Sequence, residues 1–165
     1  MNLGCTQKLL KELGKKPATS SENKSWINNW HAYLIIVDRR KCLLLTNNET
    51  LFSVFIPGLK KNEFKVIEEV IRQALFKCLI NEGLDQASIE QVLDNMKEII
   101  FCKSSSRSVL GSMNDLVNQI DCRVYMSNGL LNTDIVELNR ELNRIPLGVI
   151  DYSYANEKFK ELINT

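Results

Sequence analysis

Between Lys103 and Ile120 the chain reads KSSSRSVLGSMNDLVNQI, and Ser104, Ser105, Ser106, Arg107 and Ser108 carry its clearest chemistry. Val109, Leu110, Met113, Leu116, Val117 and Ile120 recur at helical spacing, so these polar residues stand at the start of an amphipathic helix. The first turn of a helix exposes up to about four unpaired N–H groups and the positive end of the helix dipole. Neighbouring hydroxyls donate, and the planar fork of Arg107 matches a phosphate or a carboxylate. A strand, a polar loop and then a helix is the setting in which backbone amides hold anions. Serine is also a preferred N-cap, so the same residues suit a well-capped helix with no ligand.

Three other groups have weaker signals. Arg39 and Arg40 lie in DRRK, a polar break of hairpin length, where a basic tip grips phosphates or is simply solvated. In ELNRELNRIP, the pairs Asn139/Asn143 and Arg140/Arg144 repeat at i, i+4 and form polar ridges on one helix face. Those ridges fit a protein partner, or salt bridges with Glu137 and Glu141. Trp26 and Trp30 fit an aromatic platform beside a loop, or core anchors.

Much chemistry is excluded. The chain has one histidine, His31, so no multi-histidine metal site exists. His31 could activate a cysteine, but it sits in a strand pattern beside Trp30. The glycine fingerprints of dinucleotide and P-loop binding and the G-x-S-x-G elbow are missing. The five cysteines form no C-x-x-C pair, which argues against a disulfide framework or a zinc site. No catalytic residue, metal ligand or cofactor is assigned. Acids, arginines and serines suffice for phosphoryl chemistry, but no motif arranges them, and an enzyme is the third-ranked reading.

The elements that must position these residues follow from periodicity. A chain of 165 residues, 44% hydrophobic and 25% charged, fits one globular domain over 1–165. No apolar run approaches the roughly 18 residues of a membrane span. The start lacks the apolar core of a signal peptide. The expectation is a cytoplasmic protein with no membrane partner. Charge is uneven: residues 1–61 hold ten Lys/Arg and four Asp/Glu, a balance of +6, and the remainder balances at −5.

Met1 to Cys5 is a short apolar segment, and Thr6 caps a helix that runs to Leu13 and stops at Gly14 and Pro17. Residues 17–25 read as an exposed loop. Three strands over about 30–56, Trp30–Val37, Cys42–Thr46 and Thr50–Ile56, form a meander. A helix runs from Asn62 to about Asn81, and a shorter one starts at Asp85 or Ser88. Glu98 to Lys103 is a strand. After the Ser106 helix, Asn132 or Thr133 caps another that Pro146 closes. Val149–Tyr152 fits a short strand, and Ser153 caps a last helix. The sum is an α+β fold. A small, mostly antiparallel sheet of four to five strands packs against about five helices, mostly on one face, with the first short helix helping to cover the other.

CTQKLLKEL, RRKCLLLTNNETLFSVFI, RSVLGSMNDL and LNRIP, taken together, resemble a group of short bacterial proteins that share a domain of unknown function, sometimes found with plasmid ORF-3-like domains. The resemblance implies a bacterial or mobile-genetic-element origin and carries no activity. The functional expectation is a small cytosolic binding or regulatory protein that recognises a phosphate-bearing ligand, a nucleotide or nucleic acid, at the Ser104–Ser108 helix start. The alternative is a protein–protein interaction or inhibitor protein of a plasmid or phage system.

Overall fold

The computed structural model describes residues 1–20 and 25–165, so part of the predicted 17–25 loop lies outside the described residues. Five strands form one sheet: β1 (Asn2–Cys5), β2 (Asn29–Val37), β3 (Arg40–Asn47), β4 (Ser53–Ile56) and β5 (Ile100–Lys103), in the order β4-β3-β2-β1-β5. The predicted meander is β2-β3-β4, and both of its pairings are antiparallel. The sheet is mixed, however, because β1 is parallel to both β2 and β5. The short apolar start of the chain is therefore an interior strand.

Seven α-helices complete the described fold: α1 (Gln7–Leu13), α2 (Lys61–Lys65), α3 (Ile67–Asn81), α4 (Gln86–Asp94), α5 (Arg107–Met126), α6 (Ile135–Leu142) and α7 (Ala155–Ile163). They cover both faces of the sheet rather than mainly one. Strand alternation explains why. Trp30, Ala32 and Leu34 of β2 pack in one core with Leu9 of α1, Ile71 of α3 and Phe159 of α7. Tyr33, Ile35 and Val37 pack in a second core with Met113 and Leu116 of α5 and Leu138 of α6. A strand apolar on both faces needs a helical layer on each side.

Several boundaries differ from the sequence reading, each for a local reason. The single helix expected from Asn62 breaks at Val66, whose φ of −120° and ψ of 34° separate α2 from α3. Phe64 and Ile67 on either side are buried, while Val66 is exposed. The break lets both neighbours reach the core. The cap of α6 is Asp134, whose carboxylate accepts from Glu137 N at 3.1 Å; Thr133 instead donates its hydroxyl to Gly129 O. The strand expected at Val149–Tyr152 is a 3-10 turn, Gly148–Ile150, followed by Asp151 and Tyr152 at φ of 55° and 58°. Left-handed backbone cannot continue a strand. Helix α7 starts after Tyr154, with no side-chain cap from Ser153. Among the described residues, no helix is long and apolar enough to cross a membrane.

Candidate functional site

Strands β1 and β5 lie side by side, parallel, with Cys5 opposite Lys103. Ser104 N donates to Cys5 O at 3.0 Å, which carries the pairing one step past the strand ends. The chain then leaves the two strands in opposite directions. Helix α1 follows β1 onto the face of the first core, and α5 follows β5 onto the face of the second. Adjacent parallel strands whose helices diverge to opposite faces leave a crevice outside their carboxyl ends, the position where open sheets with parallel strands bind ligands.

Residues 104–108 lie at the carboxyl end of β5, where the chain turns into α5. Ser106 is the N-cap of α5: its Oγ accepts from Val109 N at 3.3 Å, and its carbonyl accepts from Leu110 N at 3.1 Å. Ser105, Arg107 and Ser108 are exposed, and Ser104 and Ser106 are half-buried. The first turn of α5 carries no acidic residue to neutralise the dipole of a 20-residue helix. Lys103 is exposed beside it. Among the described residues, neither Lys103 nor Arg107 is in an ion pair. Thr6 follows the end of β1 as the N-cap of α1 and accepts from Leu9 N at 3.4 Å. Helix α1 is two turns long and contributes position rather than field.

The arginines of the hairpin are not part of this junction. Asp38 and Arg39 take φ of 48° and 63° in a two-residue turn, with Val37 opposite Arg40. The turn follows Val37, five residues along β2 beyond Ala32, the partner of Cys5, which is about 17 Å at the rise of a strand. Arg39 and Arg40 are exposed there, while Asp38 accepts from Leu130 N at 3.0 Å and ties the hairpin to the turn after α5.

The i, i+4 ridge on α6 has a different use from the one its spacing suggests. Asn139 and Asn143 are buried against β4, the edge strand. Asn139 Oδ1 accepts from Phe55 N at 2.7 Å and its Nδ2 donates to Phe55 O at 3.2 Å. Arg144 donates to both oxygens of Glu82, at 2.9 and 3.0 Å, and that carboxylate is 1% exposed. Arg140 donates to Asn81 O at 3.1 Å. The tryptophans are core anchors. Trp30 is 1% exposed and donates to Ile27 O, and the rings of Trp26 and Trp30 both meet Phe159 edge-on.

His31 lies inside the sheet, 2% exposed, with Nδ1 2.6 Å from Asn48 Oδ1 and, among the described residues, no partner for Nε2. Because Asn48 Oδ1 only accepts, Nδ1 carries the proton and Nε2 is a bare lone pair. Burial lowers the pKa of His31, opposed by the Asn48 bond. Burial also pushes the Cys5 and Cys78 thiols up to about 12, so neither supplies a thiolate near neutral pH. Asp38 and Asp121 share a shallow recess with Val124 and Tyr125, away from His31 and Arg107. Among the described residues, no three or more His, Cys, Asp or Glu gather as a metal site would require.

Sequence reasoning missed two members of this picture. Thr6 was legible as a cap, but its place opposite Ser106 depends on the β1–β5 pairing. Glu82 gave no signal, since nothing in a lone acid between helices marks it as buried. A family model described as a domain of unknown function, DUF6933, matches residues 2–158, as the four resembling motifs imply. The curated proteins contain no match.

Proposed function

We propose that this chain, which belongs to the DUF6933 family, is a binding protein that takes a phosphate-bearing ligand in the crevice between β1 and β5. One observation carries the reading: adjacent parallel strands send α1 and α5 to opposite faces, and α5 begins beside their carboxyl ends with Arg107 exposed and in no ion pair among the described residues. The amides of the first turn and the hydroxyls of Ser104 and Ser105 supply directional donors. Arg107 and Lys103 supply charge. The basic balance of residues 1–61 adds a field that draws anions. With the described thiols buried or unpaired with a base, binding rather than catalysis suits the groups present.

The experiment is a titration with inorganic pyrophosphate, and separately with a labelled 5′-phosphorylated single-stranded oligonucleotide, at about 50 and about 200 mM salt, the range over which phosphate contacts respond. A charge-assisted bond is worth roughly 1.5–3 kcal/mol, so Arg107→Ala should weaken binding about tenfold or more. Binding indifferent to both salt and Arg107→Ala removes the reading. Pyrophosphate binding without oligonucleotide binding narrows the ligand to a nucleotide or smaller.

A further inference from the structure

A second concavity lies far from that crevice in the topology, at the β4 edge of the sheet. It is a cleft of about 450 Å³ between α3, α6 and β4, within the range of small-molecule pockets. Its floor is buried: Val54, Ile56 and Cys78 are 1%, 7% and 5% exposed. Its walls are apolar and open to water, with Ile80 on α3 at 49% exposure and Val136 on α6 at 43%.

The polar groups at the rim are unequal. The two carboxylates are already engaged: Glu63 accepts from Lys60 N at 2.7 Å to cap α2, and Glu82 is held by both donors of Arg144. The two cations have donors to spare. Lys77 is exposed and, among the described residues, makes no ion pair. Arg140 is anchored by its bond to Asn81 O, and its Nη1 lies a long 3.7 Å from Glu137. An apolar trough whose rim carries two cations with donors to spare, beside carboxylates already engaged, is complementary to an apolar body with an anionic head.

A polypeptide fits less well. An extended peptide cannot add to β4, because the side chains of Asn139 and Asn143 bond Phe55 and Ser53 and Pro57 has no N–H. Helix α6 has eight residues, about 12 Å, so the trough offers a docked helix only about two turns.

We infer that the α3–α6–β4 cleft binds a small amphiphile, its apolar body on Val54, Ile56, Ile80 and Val136 and its carboxylate or other anionic head on Lys77 and Arg140. The site is independent of the β1–β5 crevice.

Decanoate, kept below its micelle concentration, is titrated into the full chain by calorimetry and by amide chemical shifts. The expected result is saturable one-to-one binding, with shifts on α3 and α6. The double variant Lys77→Gln, Arg140→Gln should weaken decanoate about tenfold or more, while 1-decanol is little affected. Val136→Glu, at an exposed position that leaves the fold intact, should weaken decanoate by a similar factor through its charge and lost apolar contact. Absence of binding, binding unchanged by Val136→Glu, or equal binding of decyltrimethylammonium overturns the proposal. So does an amphipathic helical peptide that fills the cleft where decanoate does not.

Discussion

The side chain of Asn143 binds the backbone of Ser53 as a neighbouring strand would: Oδ1 accepts from Ser53 N at 2.7 Å, and Nδ2 donates to Ser53 O at 2.8 Å. Asn139 repeats the arrangement at Phe55, one side-chain period along β4. A helix thus completes the hydrogen bonding of an edge strand and blocks its use as a template for pairing. Asn143→Ala leaves a buried N–H and C=O without partners. At roughly 1–3 kcal/mol for each such group, the loss of stability should be about 2–6 kcal/mol by denaturant unfolding. Asn143→Asp should be no better than Ala at neutral pH, because a carboxylate oxygen would face Ser53 O. Recovery of wild-type stability by Asn143→Asp would contradict the strand-like role.

The Glu82 carboxylate is 1% exposed and has its charge matched by Arg144, which itself is 44% exposed. Removing Arg144 strands a buried anion. Breaking a fully buried pair costs about 3–5 kcal/mol, and the solvent contact of Arg144 lowers the expectation to about 2–3 kcal/mol. Arg144→Ala should therefore cost far less in a Glu82→Gln background than in the native one. Additive effects of the two substitutions in a double-mutant cycle would mean that the pair is not coupled.

Gly4 has no room for a side chain. A Cβ there would stand 3.0 Å from His31 Nε2 and 3.1 Å from Cδ2, and the ring is fixed at its other nitrogen by Asn48. Gly4→Ala should destabilise by about 1–3 kcal/mol, the usual cost of overpacking. A smaller residue at position 31 should recover part of that loss, measured as the melting temperature of Gly4→Ala with and without His31→Ser.

His31 also sets a pH dependence. Its pKa is lowered by burial, so the unfolded chain takes up a proton near 6.5 while the folded one does so only at lower pH. In that interval the unfolded state binds more protons, and stability rises with pH. Stability should fall as pH drops from about 6.5 towards the folded pKa, and then level off for this group. The carboxylate of Asp85, lowered chiefly by its hydrogen bonds with Ser88, adds a separate loss below the ordinary aspartate value of 3.8. His31→Gln should flatten the first interval and leave the second. An unchanged slope between about pH 7 and about pH 5 would exclude His31 as its source.

Capping and ligand binding at α5 can be separated. Ser106→Ala removes the acceptor of Val109 N and should cost about 1 kcal/mol. Arg107→Ala alters an exposed residue with no ion pair among the described residues and should stay within about 0.5 kcal/mol of the native stability. A large loss of stability in Arg107→Ala would assign that residue to the fold rather than to a ligand.

Periodicity and capping chemistry made most elements legible in the sequence. Thr6, Asp85 and Ser106 each cap the helix expected of them, and the doubly apolar run of β2 called for cover on both faces. The alternation of a strand, however, specifies which face each residue takes and not which strand lies beside it. Four residues at the start of the chain carried no sign that they would pair in parallel with β2 and β5, and the starts of α1 and α5 are neighbours only through that pairing. The same limit applies to α6. Its i, i+4 spacing put Asn139 and Asn143 on one face, but whether that face met water or a strand edge rested on contacts 84 and 90 residues away. Local sequence determined the elements and their faces because those follow from backbone sterics within a few residues. The tertiary structure decided the neighbours, because burial and hydrogen-bond satisfaction are settled only when distant segments meet.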